Sequence, residues 1–161
     1  NRGWHRVVMG LAKRTKCPAV TEAALRLYEE TMGHTGHRLT PQRRTVYDAL
    51  LTQRDHPTAT EVFLRVKDAM PSISLATVYN CLETLVECGL VKQVNVDREP
   101  TRFCPNQAEH GHFVCASCGH VFDIPLSPKK LQSALNLPGG YDVTTQEVTL
   151  RGLCSACSKH K

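Results

Sequence analysis

The feature that most constrains this chain is a pair of Cys-x-x-Cys motifs towards its C-terminal end. Cys115 and Cys118 form the first motif, Cys154 and Cys157 form the second, and 35 residues separate the two. Each motif can hold a metal ion from a tight turn, and four thiolates at tetrahedral angles suit Zn²⁺ without leaving an open position. The sequence therefore predicts a structural Zn²⁺ site rather than a catalytic one.

Disulfides and redox pairs are the alternatives for these cysteines. The chain has 8 cysteines, and its start shows no secretion signal, which favours metal binding over disulfides. A redox motif calls for a thioredoxin-like βαβ pattern, which the neighbouring sequence lacks. No apolar run approaches the length of a membrane span, so we expect no membrane partner.

Three further metal-binding side chains precede the first motif: Cys104, His110 and His112. His110 and His112 alternate along an extended segment, so they face the same side of it. A soft thiolate with two imidazoles favours Zn²⁺. We therefore predict a second metal site here, although a histidine taken alone is more often a surface residue.

The N-terminal part of the chain predicts four helices that begin after hydroxyl-bearing capping residues, namely Thr21, Thr40, Thr58 and Ser74. The third predicted helix reaches Met70, and the short turn "PSIS" separates it from the fourth, which is helix-turn-helix spacing. The segments "LVKQVNV" and "RFC" then predict a two-stranded wing. A net charge of +5 fits a nucleic acid partner. Any small helical bundle is the alternative interpretation.

The fourth predicted helix exposes Thr77, Tyr79 and Asn80 near its N-terminus, where a recognition helix meets the bases. Asn80 can pair bidentately with adenine, and Tyr79 can reach a thymine methyl group. These three residues are therefore candidates for contact with DNA.

The composition changes near Cys104. An extended segment from His112, a capped helix "SPKKLQSALNL" and an alternating strand "YDVTTQEVTL" predict a small α+β unit. We therefore predict an α+β protein with a winged-helix unit at residues 1–103, of which 1–19 are a basic N-terminal extension. A zinc-stapled unit follows at residues 104–161.

Five motifs, "RLTPQRRTVYDAL", "HPTATEVF", "SLATVYNCLETLVECGLV", "HGHFVCASCG" and "GLCSAC", occur in the order and spacing of the ferric uptake regulator family. The chain resembles this family over about residues 20 to 158. The resemblance implies a bacterial, cytoplasmic homodimer that represses transcription by binding double-stranded operator DNA. It also implies a winged-helix DNA-binding domain, a C-terminal dimerisation domain, a four-cysteine zinc and no catalytic residues. Arg43 matches a residue near the DNA phosphates.

The resemblance further implies a regulatory divalent-metal site between the two domains. Its ligands correspond to His56, Cys104, His110 and His112, with Asp123 matching a carboxylate that some members add. Zinc-uptake regulators of the family carry Cys where this chain has Cys104, whereas iron and peroxide sensors carry Asp or Glu. We therefore expect a zinc-sensing repressor.

Two alternatives remain open from the sequence. The stretches "HPTA" and "VYNCL" are more like the peroxide-sensing branch, which uses Fe²⁺ or Mn²⁺. A zinc hydrolase is a different class, but the chain has no Glu in an H-E-x-x-H or H-x-E arrangement.

Overall fold

The structure, a computed structural model, describes residues 21–159. The elements follow each other as α1 (Glu22–His34), α2 (Pro41–Thr52), α3 (Ala59–Lys67), α4 (Leu75–Glu87), β1 (Lys92–Val94), β2 (Arg102–Cys104), β3 (His110–Cys115), β4 (Val121–Pro125), α5 (Pro128–Ala134), β5 (Thr149–Gly152) and α6 (Ser155–Ser158). The predicted basic extension at residues 1–19 lies outside the described residues.

The first four helices begin where the capping residues predict. The side-chain oxygens of Thr21, Thr40, Thr58 and Ser74 each accept a hydrogen bond from a backbone N–H in the first turn. The third helix has a complete capping box with Glu61. A helix start leaves these N–H groups without intrahelical partners, so a side chain that accepts from them fixes the starting residue.

One hydrophobic core joins the four helices. Tyr28 of α1 stacks on Tyr47 of α2 with ring centroids 5.4 Å apart. Val62 of α3 and Leu82 of α4 are fully buried in the same cluster. Because each helix contributes an apolar face, packing fixes the orientation of α4 and leaves its outer face exposed.

The connection between α3 and α4 is longer than predicted. α3 ends at Lys67 rather than at Met70, so residues 68–74 join the two helices. Pro71 disfavours a helical conformation at Met70. The Lys67 ammonium instead donates a hydrogen bond to the Ile73 carbonyl at 3.2 Å.

The wing consists of β1 and β2, which pair antiparallel with Lys92 opposite Cys104. Strand β2 also holds the segment that precedes α3, because the N–H of Phe103 donates to the Pro57 carbonyl at 3.0 Å. His56 stands directly before that proline. The wing strand that ends at Cys104 therefore fixes the position of His56 as well.

The C-terminal sheet has the order β4–β3–β5, with β3 antiparallel to β4 and parallel to β5. His112 of β3 lies opposite Asp123 on one side and Thr149 on the other. The predicted strand from Tyr141 is wrong over most of its length, since β5 begins only at Thr149. Just upstream of β5, the Val148 carbonyl still accepts a hydrogen bond from the N–H of His112 at 2.8 Å. β3 begins at His110, however, so it offers no neighbour to the residues near Tyr141.

The observed architecture is α+β, as predicted: a winged-helix unit precedes a small unit built on a mixed sheet. The helix after β4 also exists as α5, but the side chain of Ser127 makes no capping hydrogen bond at its start. Within residues 21–159, no helix has the length and apolar character needed to cross a membrane.

Candidate metal centres

Four cysteine sulfurs converge at one end of the C-terminal sheet. Cys115 ends β3, Cys118 follows in the next turn, and Cys154 and Cys157 lie at the start of α6 and within it. All four sulfur atoms are within 4.8 Å of one another, and those of Cys118 and Cys154 are 3.9 Å apart. Parallel pairing of β3 with β5 brings the two distant motifs together.

This arrangement fits a tetrahedral zinc ion. Zn–S bonds of about 2.3 Å place the sulfurs about 3.8 Å apart. Gly119, with a φ of 69°, closes the first motif by donating its N–H to the Cys115 carbonyl at 2.9 Å. The N–H groups of Cys118 and Cys154 lower the pKa of the Cys115 thiol to about 6, which favours the thiolate that a metal requires. Four protein ligands leave no position for water, so the arrangement suits a structural ion.

His56 lies in a strained turn between α2 and α3. Its φ of 54° is left-handed, which is uncommon for a residue other than glycine. Arg102 of β2 holds this turn, because its Nη1 donates to the His56 carbonyl at 3.1 Å. The residue is buried at 4% exposure, and its Nε2 contacts the C-terminal sheet through Asp123. Strain held by neighbouring structure is typical of functional positions.

The C-terminal sheet and the end of the wing supply the other predicted donors. His110 and His112 lie on the same side of β3, with their Nε2 atoms 3.0 Å apart. Asp123 of β4 is the register partner of His112. The sulfur of Cys104, at the end of β2, is 3.4 Å from Nε2 of His110.

These five side chains, named here the five-donor cluster, meet around one oxygen of Asp123. Its Oδ1 lies 2.7 Å from Nε2 of His56, 3.5 Å from Nε2 of His110, 3.8 Å from Nε2 of His112 and 3.9 Å from Sγ of Cys104. The ligand atoms of four of them lie within 4.8 Å of one another, and His110 stands at the edge of that group. The structure thus brings together donors that are far apart in the sequence.

The spacing of the five-donor cluster fits a divalent ion. Metal–nitrogen bonds of about 2.1 Å separate tetrahedral ligand atoms by about 3.4 Å, which is close to the observed distances. Imidazoles suit Zn²⁺ and Fe²⁺, the thiolate adds preference for Zn²⁺, and the carboxylate suits Mn²⁺. A cavity of about 500 Å³ reaches His110 and His112 from the space between the wing and residues 143–149.

Burial sets the protonation of the cluster in the absence of metal. It lowers the pKa of His56, and it lowers the pKa of His112 to about 4 with help from the neighbouring imidazoles. Burial raises the pKa of the Cys104 thiol to about 11. Burial also opposes ionisation of Asp123, but the Asn106 amide and the imidazoles outweigh it and lower the pKa of that carboxyl. At neutral pH the thiol therefore has to lose a proton when metal binds.

Two residues that position the cluster were not identified from the sequence. Arg102 holds the His56 turn, and Asn106 donates its Nδ2–H to Oδ2 of Asp123 at 2.7 Å. The pair Pro105–Asn106 is a turn signal. A turn signal does not tell which carboxylate will lie across from the amide, so this contact needed the structure.

The predicted DNA-contacting residues differ in their surroundings. Tyr79 is 46% exposed, and Asn80 is also exposed, so both can meet a DNA surface. Thr77 is half-buried, and its hydroxyl lies 2.8 Å from that of Ser74 at the helix start. Arg43 of α2 is half-buried, and its guanidinium donates to a backbone carbonyl of the preceding loop at 2.7 Å. Contact with DNA remains a prediction for all four.

Two other cysteines of the described chain lie in or against the helical core. Cys81 is buried within it, and Cys88 is partly buried with its sulfur 3.7 Å from that of Met32. Neither belongs to a cluster of metal-binding side chains in the part of the chain that the structure describes. Packing therefore accounts for both.

Comparisons with known proteins agree with this architecture. The peroxide operon regulator of Bacillus subtilis is 34% identical over 132 residues, which cover 81% of this chain and 90% of that protein. The crystal structure of the Campylobacter jejuni peroxide stress regulator is 34% identical with a TM-score of 0.62, covering 83% of this chain and 98% of that one. The Helicobacter pylori ferric uptake regulator shares the fold, with a TM-score of 0.72 at 17% identity over 85% of this chain and 93% of that one.

A family model, that of the ferric uptake regulator family, matches residues 34–151. The match spans both the winged-helix unit and the C-terminal sheet. The chain therefore belongs to the ferric uptake regulator family, whose members are metal-dependent transcriptional regulators and not enzymes.

Proposed function

We propose that this chain is a metal-dependent transcriptional repressor that responds to peroxide. Two relatives at 34% identity are named as peroxide regulators. The observation that carries the proposal is the five-donor cluster, in which side chains from both structural units surround Oδ1 of Asp123. A metal ion can control how two structural units are arranged only if both units supply ligands to it, as they do in this cluster.

The two units have separate tasks in this proposal. Residues 1–103 bind operator DNA, with α4 as the recognition helix, and residues 104–161 form a homodimer. Zn²⁺ in the four-cysteine site holds the end of β5 against β3 and so stabilises the dimerisation domain. The cytoplasm of a bacterium is the expected location, as for other regulators that act on DNA.

An ion in the five-donor cluster ties the two domains to each other. His56 belongs to the DNA-binding domain and is held by the wing strand β2, whereas His110, His112 and Asp123 belong to the C-terminal sheet. Cys104 lies at the boundary between the two domains, where β2 ends. Bonds from one ion to His56 and to the sheet residues fix the placement of the DNA-binding domain. That placement sets the separation of the two recognition helices in a dimer, which must match major grooves about 34 Å apart. Metal binding therefore shifts the population towards the form that binds DNA.

Fe²⁺ or Mn²⁺ is the proposed regulatory ion. The cluster contains three histidines and one carboxylate. It therefore includes the two histidines and one carboxylate with which proteins hold Fe²⁺ while leaving positions open. Bound Fe²⁺ supplies one-electron chemistry with peroxide. The chain supplies the access route, since the cavity of about 500 Å³ reaches His110 and His112. Oxidation of Cys104, His56 or His110 by peroxide removes a ligand of the ion. The ion then no longer links the two domains, and the protein releases the DNA.

Zinc sensing is the second candidate, and Cys104 is the observation that favours it. Its sulfur lies 3.4 Å from Nε2 of His110, close enough for both to bind one ion. A thiolate among imidazoles suits four-coordinate Zn²⁺ better than Mn²⁺. In this case the same tie between domains operates, but its signal is the zinc level and peroxide has no direct role.

Operator titration decides between the two candidates. Anaerobically purified protein with its structural zinc retained is titrated onto operator DNA with Fe²⁺, Mn²⁺ or Zn²⁺, and peroxide is then added. Activation by Fe²⁺ or Mn²⁺ and release by peroxide of the Fe²⁺-loaded protein support the peroxide-responsive repressor. Activation by Zn²⁺ alone, with no effect of peroxide, replaces it with the zinc sensor.

A further inference from the structure

We infer that Asn106 is a positioning residue that determines how many oxygens of Asp123 face the regulatory ion. The inference rests on the proposed function of the five-donor cluster and deepens it. Asn106 lies in the linker between β2 and β3, and its Nδ2–H donates to Oδ2 of Asp123 at 2.7 Å. The imidazoles and the thiol of the cluster all lie around the other oxygen, Oδ1.

The orientation of the Asn106 amide is fixed from both ends. Its Oδ1 accepts the backbone N–H of Ala108 at 3.1 Å, which the amide nitrogen could not do. Its Nδ2 must then face Asp123, whose ionised carboxylate can only accept hydrogen bonds. The resulting bond engages Oδ2, so Asp123 presents a single oxygen to the cluster.

The same turn fixes the ring of His110. The Ala108 carbonyl accepts a hydrogen bond from Nδ1 of His110 at 2.6 Å, so the proton of the neutral ring lies on Nδ1. The lone pair is then on Nε2, the atom that contacts the Cys104 sulfur. Because Asn106 holds the N–H of Ala108, one side chain orients two proposed ligands: Asp123 directly and His110 through a backbone carbonyl.

Metal preference follows from the number of ligand atoms. With one oxygen from Asp123, the cluster offers three nitrogens, one sulfur and one oxygen. A second oxygen raises the coordination number and makes the site richer in oxygen, which favours Mn²⁺ over Zn²⁺. Asn106 is therefore a specificity-determining residue, although it does not touch the ion itself.

The substitution Asn106→Asp separates this role from a merely structural one. Aspartate keeps the oxygen that accepts from Ala108 and so preserves the turn, but it replaces the donor to Asp123 with a second carboxylate oxygen. Two readouts are measured on protein whose four-cysteine site holds Zn²⁺: the visible absorption of Co²⁺ in the regulatory site, and the ratio of Mn²⁺ to Zn²⁺ affinity from chelator competition.

We expect Asn106→Asp to weaken the Co²⁺ absorption, as a higher coordination number does, and to shift the affinity ratio at least about tenfold towards Mn²⁺. Asn106→Ala loses both contacts and should weaken binding of both ions by about 10–100-fold, the usual cost of removing a residue that orients a ligand. The matched control is Asn95→Ala, since the Asn95 side chain accepts its hydrogen bond from Thr101 within the wing at 3.0 Å. This control should leave both readouts unchanged.

A wild-type Co²⁺ spectrum and affinity ratio in Asn106→Asp would overturn the inference while leaving the proposed function intact. If the wild-type protein itself binds no ion beyond the four-cysteine zinc, the proposed function and the inference are both wrong. If the wild-type protein binds such an ion but shows no change in operator affinity, and Asn106→Asp still alters the ratio, only the proposed function fails.

Discussion

Replacing His56 by Asn tests whether the five-donor cluster joins the two domains. Asn tolerates the left-handed φ of 54° better than most residues, so the turn before α3 should persist. Its shorter side chain cannot reach Oδ1 of Asp123, which lies 2.7 Å from Nε2 of His56. The metal-free protein then loses a hydrogen bond to a charged group, worth about 1.5–3 kcal/mol. The metal-loaded protein loses the imidazole that the winged-helix domain contributes.

The expected result is a loss of coupling rather than a loss of DNA binding as such. Coupling between two sites is typically about 1–3 kcal/mol, so the regulatory ion should tighten operator binding about 5–150-fold in the wild-type protein. In His56→Asn this ratio should fall close to one, even at metal concentrations that saturate the remaining ligands. Fluorescence anisotropy of labelled operator DNA measures the ratio, and metal analysis verifies that the structural zinc is retained.

The matched control for this experiment is His37→Asn. His37 is an imidazole of the same domain whose Nε2 lies 4.0 Å from Glu87, outside the five-donor cluster. The His37→Asn protein should keep the wild-type ratio of operator affinities with and without the regulatory ion. A His56→Asn protein whose operator affinity responds to metal as strongly as that of the wild type would refute the tie between domains.

Three further predictions concern the zinc, the protons and the DNA. Cys118→Ser should lose the tightly bound zinc and no longer form a dimer, because zinc ligation contributes on the order of 10 kcal/mol to the folding free energy of small zinc units. Metal analysis and sedimentation velocity check this result, and a zinc-free dimer would contradict it. Metal binding at pH 7 should release about one proton, because the Cys104 thiol has a pKa raised to about 11. The affinity for metal should therefore rise about tenfold per pH unit near neutrality. Calorimetry in several buffers measures the proton release, which Cys104→Ser should abolish. A wild-type protein that releases no proton would rule out the thiolate as a ligand. Asn80→Ala should reduce the preference for the correct base by about 1–3 kcal/mol. Arg43→Ala should instead weaken binding to all DNA sequences alike and reduce the salt dependence of DNA binding. Unchanged specificity in Asn80→Ala would exclude direct base contact by this residue.

Local chemistry made most of the fold predictable. Thr40 and Ser74 start α2 and α4 because a hydroxyl acceptor at a helix start depends on nearby residues alone. The errors arose where distant structure decides. The strand predicted from Tyr141 has the right alternation, but strand length depends on the neighbour, and β3 extends only from His110 to Cys115.

The five-donor cluster was only partly predictable from its residues. Alternation along one strand placed His110 and His112 on a common side, and their Nε2 atoms are 3.0 Å apart. His56 and Asp123 entered through family resemblance, since nothing in a single sequence indicates that β4 meets the turn before α3. Asn106 was not predicted at all, because its role depends on which carboxylate the fold places 2.7 Å away.

Diffraction from crystals of the Mn²⁺-loaded protein, recorded at the manganese and zinc absorption edges, tests the central claim most directly. The proposed function predicts a zinc peak among the four cysteines and a manganese peak bonded to both His56 and Asp123. A manganese ion held by C-terminal residues alone, with His56 outside bonding distance, would contradict the claim that one ion joins the two domains.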